Sequence, residues 1–222
     1  MEFIVAVDGP AGSGKGTITK IVGEKENLIY IDTGALYRCV TLSMVRENVK
    51  LEDLEKIQEI LDTIDIEFKK EDDQKKVYLN GEDVSKEIRE SAVNKFVSQV
   101  SHVVIVREAV TELSRKIAQG KQVIMEGRDI GTNVFPNADV KIYLDASPEE
   151  RAKRRQKQNE EKGINIPFEE IVENIKFRDN NDKTSPVAPL KQAEDAIYID
   201  SSDMTIEEVA EIVIEIINRK RR

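Results

Sequence analysis

Apolar residues fall along the 222-residue chain in two alternating rhythms. Short runs of strand length, "EFIVAV" at 2–7, "LIYID" at 28–32, "QVIME" at 122–126, "VKIYLDA" at 140–146 and "AIYID" at 196–200, are rich in Val and Ile. Such nearly continuous runs suit strands that are covered on both faces. Between them, apolar residues return every three or four positions. In "GALYRCVTLSMVREN", 34–48, Leu36, Val40, Ser43 and Met44 share one helical face. "SPEERAKRR" opens a helix with Ser147 as N-cap, Pro148 at the first helical position and Glu150 closing a capping box. "TIEEVAEIVIEII" repeats the device with Thr205 and Glu208, and sets Ile206, Val209, Ile212, Val213 and Ile216 on one stripe. This order predicts an α/β fold in three layers, a mostly parallel sheet of about five strands with helices on both faces. There is no internal repeat or low-complexity linker, so 1–222 reads as one domain.

One stretch breaks the rhythm. In "IDIEFKKEDDQKKVYLNGEDVS", 64–85, Ile64, Ile66 and Phe68 alternate with polar residues. A charged turn follows, and Val77 and Leu79 alternate before Asn80 and Gly81. This is the pattern of a small antiparallel β insert. Lying between helical segments, it reads as a substrate-side subdomain over 62–100, with a surface decoration as the alternative.

The first strand runs into "GPAGSGKGT", which fits G-x-x-x-x-G-K with Gly9, Gly14 and Lys15. In Gly9, Pro10, Ala11, Gly12, Ser13, Gly14, Lys15, Gly16 and Thr17 the side chains are mostly small. Successive backbone N–H groups can therefore converge on phosphate oxygens, helped by the dipole of the following helix. Lys15 reaches the β- and γ-phosphates. Many such loops carry Ser or Thr directly after the lysine; here that residue is Gly16, and the hydroxyl moves to Thr17. No side chain is therefore assigned as a direct metal ligand. Mg2+ is expected on ATP phosphate oxygens and waters, with Asp8 or Asp32 no closer than its outer shell.

Composition narrows the partners. A hydrophobic content of 39%, no apolar run of membrane-spanning length and no leader-like N-terminus point to a soluble, cytoplasmic protein. Cys39 is the single cysteine and reads as a small buried hydrophobe; with His102 as the single histidine, a zinc site of the usual kind is not expected. The net charge of -9 argues against broad nucleic-acid binding. The basic tail "NRKRR" is read as cations at a helix C-terminus, with RNA contact as its alternative. The polar helix faces make a monomer the default.

A phosphate loop alone does not separate kinases, GTPases and motors. The Asn-Lys-x-Asp segment of many guanine sites is missing, since Asn94–Lys95 is followed by Phe96 and Val97. Transfer between two phosphates gathers many negative oxygens and needs cations around both substrates. Candidates are Arg38, Arg107, Arg128 and the cluster Arg151, Arg154 and Arg155. Arg128 and Asp129 fall at the carboxyl end of a strand, where open parallel sheets bind ligands. Followed by "QKQNEEKG", the arginine cluster reads as a lid over ATP, spanning 151–165.

"DGPAGSGKGT", "IDTGALYR", "EGRDIGTNVFPNADVKIYLDASPEERAKRR" and "VAPL", in this order, resemble the bacterial-type cytidylate kinase family over nearly the whole chain. The resemblance implies a P-loop kinase fold that transfers a phosphoryl group from ATP to CMP or dCMP in pyrimidine metabolism. It also implies that Arg38 and Arg128 clamp the CMP phosphate, that Thr33 and Tyr37 line its site, and that Asp129, Arg107 and Ser98 read cytosine. Arg178 and Asp182 match positions associated with the sugar, while Ser185 stands where the family commonly has arginine, with Lys183 as a substitute point charge. The chemistry of Asp129 agrees: a carboxylate accepts from the N4 amino group of cytosine but meets a carbonyl in uracil. Lys15, Arg38, Arg128 and Arg154 are the expected catalytic cations. Two other readings stay open, a kinase for another small acceptor such as UMP or shikimate, and a nucleotide-gated ATPase that binds RNA.

Overall fold

Phe3–Asp8 forms β1, which lies in the middle of a five-stranded sheet and is flanked on both sides by parallel neighbours. The computed structural model describes residues 2–71, 74–161 and 163–222. Asp72 and Asp73 of the insert segment 62–100, and Lys162 of the segment 151–165, lie outside the described residues. The chain divides into two compact units, one holding the chain up to Ile31 and from Ala118 onward, the other Asp32–Ile117.

The first unit begins with β1, α1 (Lys15–Lys25) and β2 (Ile29–Asp32). The second follows with α2 (Thr33–Arg46), α3 (Leu54–Thr63), β3 (Ile66–Glu71), β4 (Gln74–Leu79), β5 (Glu82–Asp83), α4 (Ser91–Val100) and α5 (Val104–Ala118). The chain then returns through β6 (Gln122–Gly127), β7 (Val140–Asp145), α6 (Pro148–Glu160), α7 (Phe168–Thr184), β8 (Ile197–Asp200) and α8 (Ile206–Lys220).

In the first unit the strand order is β2-β6-β1-β7-β8. Val5 pairs with Ile124 on one side and Val140 on the other, which places the carboxyl ends of β1, β6 and β7 side by side. Val5, Val7, Ile124, Ile142 and Leu144 are fully or almost fully buried, the reason these strands read as unbroken apolar runs. At the edges the runs are less covered: Ile29, Ile197 and Tyr198 are exposed. The five strands expected from the sequence are the five observed.

Two helix details differ from expectation. On α8 the capping box of Thr205 and Glu208 forms, but the buried stripe is Val209, Ala210, Val213 and Ile217, while Ile206 and Ile212 face solvent. Ala210 joins the core cluster with Val209, Val213 and Ile217. On α6, Ser147 accepts from the Glu150 amide at 3.2 Å, but the Ser147 amide donates to the Ser202 hydroxyl at 2.9 Å. Glu150 has no cap to close and pairs with Lys153 instead.

In the second unit, β3, β4 and β5 form a separate antiparallel sheet, with Ile66 opposite Leu79 and Phe68 opposite Val77. Its inward residues Ile66, Val77 and Leu79 join a core with Leu36, Cys39, Val40, Ile57, Ile88, Val93 and Val106. Truncating one of the large members to Ala would cost roughly 2–5 kcal/mol. The insert strands thus belong to the hydrophobic core of this unit, and Arg46 of α2 ties them down through Glu82 at 2.8 Å and Glu87 at 2.5 Å.

The basic tail closes the first unit. Arg219 pairs with Glu215, and Arg221 reaches Glu26 at 2.8 Å and stacks over Phe3. Among the described residues no helix is long and apolar enough to cross a membrane.

Candidate active site

β1 ends at Asp8, and residues 9–14 wrap to the start of α1. Gly9 sits at φ 150°, where an added Cβ would stand 2.0 Å from the Leu144 carbonyl oxygen, so only glycine lets the loop cross β7 there. Gly14 is the N-cap of α1 and supplies no side-chain cap, which leaves that end of the helix to backbone donors. Lys15 is buried, and its Nζ donates to Pro10 O at 2.8 Å. Burial, and then the positive charge of Arg128, push its pKa down to about 7; Glu126 and Asp8 oppose the shift and Arg178 adds to it. Thr17 is exposed.

Asp8 is held by the protein's own backbone. Both of its carboxylate oxygens accept backbone bonds from the loop after β6, from Ile130 N and from Gly131 N at 2.7 Å each. Burial pushes its pKa up to about 6 in spite of these two donors. A charge held this way fixes the tight turn that begins with Arg128 and Asp129. It also explains "GRDIG", because a Cβ at Gly131 would come 3.3 Å from Asp8 Oδ2 and 3.1 Å from Lys141 Cδ. Asp32 is likewise engaged, capping α2 through the Ala35 amide at 3.2 Å.

Glu126 is the acidic group that sequence reasoning passed over. It is the penultimate residue of β6, accepts from the Tyr30 hydroxyl, and places Oε1 2.9 Å from where a Cβ on Gly16 would be. The space a Ser or Thr side chain would fill after Lys15 is therefore bordered by a carboxylate. The signal was an acid at the carboxyl end of a strand adjacent to the phosphate loop. Oxygen donors beside phosphate suit a hard divalent cation. Glu126 is thus a better candidate than Asp8 for assisting Mg2+, and the described residues contain no cluster of His, Cys, Asp or Glu that could hold a metal without phosphate.

The remaining predicted residues of this unit gather on α6, α7 and the loop after β6. Arg128 donates through Nε to Asp182 Oδ2 at 2.9 Å, joining two predicted residues far apart in sequence. Asp129 is buried and accepts from Asn133 Nδ2 at 3.1 Å. Arg178 is half-buried one residue before Asp179. Arg155 is exposed, and Arg154 donates to Ser13 O at 3.1 Å and Ser201 O at 2.6 Å. Arg151 is only 2% exposed and donates to protein acceptors. Ser185 is buried at the end of α7, its hydroxyl bonded to Val187 O at 2.7 Å, and Lys183 is exposed.

The other predicted residues belong to the second unit. Thr33 is buried at the first position of α2, and Tyr37 and Arg38 follow on the same helix. Arg38 donates to Ile88 O at 2.9 Å and Asn94 Oδ1 at 2.7 Å. Arg107, buried on α5, lies over the Tyr37 ring at 5.6 Å and donates to Ser101 O at 3.2 Å. Ser98 is half-buried on α4, and its carbonyl accepts from the Ser101 hydroxyl at 2.8 Å. This unit therefore brings Tyr37 and Arg107 together and braces Arg38 against α4.

The sequence comparisons with known proteins agree on one family. The cytidylate kinase family model matches residues 5–219. A cytidylate kinase from Caldicellulosiruptor bescii is 47% identical over 212 residues, covering 96% of this chain and 94% of that protein. One from Bacillus subtilis is 45% identical over 221 residues, covering 100% of this chain and 99% of the other. A solved structure of an uncharacterized protein from Eubacterium ventriosum covers 98% of this chain and 99% of its own with a TM-score of 0.55 at 12% identity, a likeness of fold alone. With a phosphate loop built around a buried lysine and sequence likeness running nearly end to end, the chain belongs to the cytidylate kinase family.

Proposed function

We propose that this protein transfers the γ-phosphoryl group of ATP to CMP or dCMP, giving ADP and CDP or dCDP. The observation that carries the reading is the loop 9–17 around buried Lys15, set beside Glu126 and the Arg128–Asp182 pair, in a chain with full-length likeness to cytidylate kinases. A phosphate oxygen of the acceptor attacks the γ-phosphorus, the bond to the β–γ bridging oxygen breaks, and ADP leaves. The acceptor oxygen is already ionised, so alignment and charge neutralisation suffice and no general base is required.

The residue roles are those the family resemblance implies, and the chemistry of each side chain supports them. The loop amides and Lys15 hold the donor phosphates. Arg38 and Arg128 carry charge for the acceptor phosphate, Arg154 and Arg155 for the donor, and Arg178 and Asp182 serve the sugar. Thr33 and Tyr37 line the acceptor site, while Asp129, Arg107 and Ser98 read the base. Mg2+, bound with ATP, supplies charge neutralisation on the phosphate oxygens, and Glu126 is the residue that would assist it. The segments 62–100 and 151–165 serve the acceptor and the donor, respectively. The enzyme acts as a monomer in the cytoplasm.

The test is release of ADP from Mg-ATP with CMP, dCMP, UMP, AMP, GMP or no acceptor. Turnover confined to CMP and dCMP is expected, with Asp129→Asn lowering the preference for CMP over UMP. Turnover led by UMP or AMP would overturn the acceptor, and hydrolysis that needs no acceptor would overturn the transfer reaction.

A further inference from the structure

A loop that turns its amides toward phosphate must turn its carbonyls elsewhere, and those carbonyls need donors. Two come from one face of α6. Arg151 Nη1 donates to Ala11 O at 3.1 Å, and one turn later Arg154 Nη1 donates to Ser13 O at 3.1 Å. Arg151 also donates through Nε to Ala146 O at 2.8 Å, so its guanidinium spans from the end of β7 to the loop. Its stem packs against the loop as well: a Cβ at Gly12 would lie 3.4 Å from Arg151 Cβ.

The opposite side of the guanidinium is held by α7. Nη1 and Nη2 of Arg151 bind Asp179 Oδ1 and Oδ2 at 2.9 and 2.5 Å, a two-pronged pair with both residues buried. Burying two charges is expensive, and such a pair is a weak source of stability compared with apolar residues of the same volume. A planar fork does, however, fix orientation in a way that a point charge cannot. The same helix carries Asp182 one turn on, bonded to Arg128. Two successive acids of α7 thus hold the arginine behind the phosphate loop and the arginine after β6.

We propose that Arg151 is a positioning residue: oriented by Asp179, it holds the Ala11 carbonyl so that the loop amides stay aimed at the donor phosphates. This rests on the reading that the loop binds ATP, and it assigns Arg151 to the back of the loop, with no direct contact to nucleotide.

The test compares wild type with Arg151→Met, Asp179→Asn and the double variant. Affinity for a fluorescent ATP analogue, KM for ATP, KM for CMP, kcat and melting temperature are all measured. Displacing a loop by the order of 1 Å can cost about 100-fold in rate. Arg151→Met is therefore expected to weaken analogue binding by about tenfold and lower kcat by about 10- to 100-fold, while KM for CMP changes by less than about threefold. The double variant should match Arg151→Met, because the two residues act as one unit. Lower melting temperatures with analogue affinity and KM for ATP unchanged would overturn the proposal. If Arg151→Met does not fold, Arg151→Lys decides by the same readings, since lysine keeps the charge but cannot engage Asp179 and Ala11 together as a fork. Analogue binding needs no acceptor. A wild type that binds ATP without phosphorylating CMP would thus defeat the proposed function and still leave the role of Arg151 to be read.

Discussion

Gly9→Ala is the sharpest perturbation this fold offers. The added methyl would stand 2.0 Å from Leu144 O and 3.0 Å from Leu144 C, both backbone atoms of a central strand. Relief requires the loop or β7 to move by about 1 Å, since Cβ contacts below about 3 Å are not sustained. Overpacking of this kind costs about 1–3 kcal/mol. The φ of 150° adds about 1–3 kcal/mol for any residue with a Cβ. The sum, about 2–6 kcal/mol, lowers the melting temperature of a chain this size by on the order of 10 °C. Gly120→Ala is the control: its φ is 70°, but nothing lies within 4 Å of the added carbon, so left-handed strain of about 1–2 kcal/mol is all that remains. Thermal unfolding and steady-state kinetics on both variants separate the two contributions. Gly9→Ala should also raise KM for ATP, because the loop moves, whereas Gly120→Ala should leave it unchanged. Equal melting temperatures and equal KM values in the two variants would refute the reasoning.

Two further outcomes follow from titrating groups. The pKa of Lys15 is pushed down to about 7 in the free protein, and a bound triphosphate favours the charged amine, so ATP binding at pH 8 should take up a proton. Affinity accordingly weakens as pH rises above 7. Calorimetry in buffers of different ionisation enthalpy reads this directly, and uptake equal to that of Lys15→Met would sink it. Cys39 is fully buried and its thiol is pushed up to about 12, first by burial and then by Asp32. Alkylation by iodoacetamide at pH 8 should be slower in the folded protein than in urea by more than about a thousandfold; comparable rates would contradict that burial.

What the sequence made legible and what it concealed divide by the range of the interaction. The five strands were readable because β1, β6 and β7 are covered on both faces, a need written locally as unbroken Val and Ile, and the less covered edge strands β2 and β8 keep the same apolar run. The loop 9–17 was readable for the same reason, since its conformation is imposed by the residues that compose it. Roles set by partners from elsewhere in the chain were not. Asp8 gives up its carboxylate to amides 122 and 123 residues away, and no local pattern marks that demand. Glu126 gains its place from Gly16, and Arg151 from Ala11 and Asp179, across 140 and 28 residues. The arginine run 151–155 shows the limit clearly. Its composition is that of a solvated cationic lid, yet only Arg155 of the three arginines is exposed. Helical geometry turns Arg151 and Arg154 to one side, one turn apart, and loop carbonyls lying there accept from both; for Arg151, whose other donors go to Ala146 and Asp179, an apparent nucleotide contact becomes a protein contact. A charged residue in a phosphate-binding fold must therefore be assigned by what its donors already hold, because the cations that shape a phosphate site and those that touch phosphate are written in the same letters.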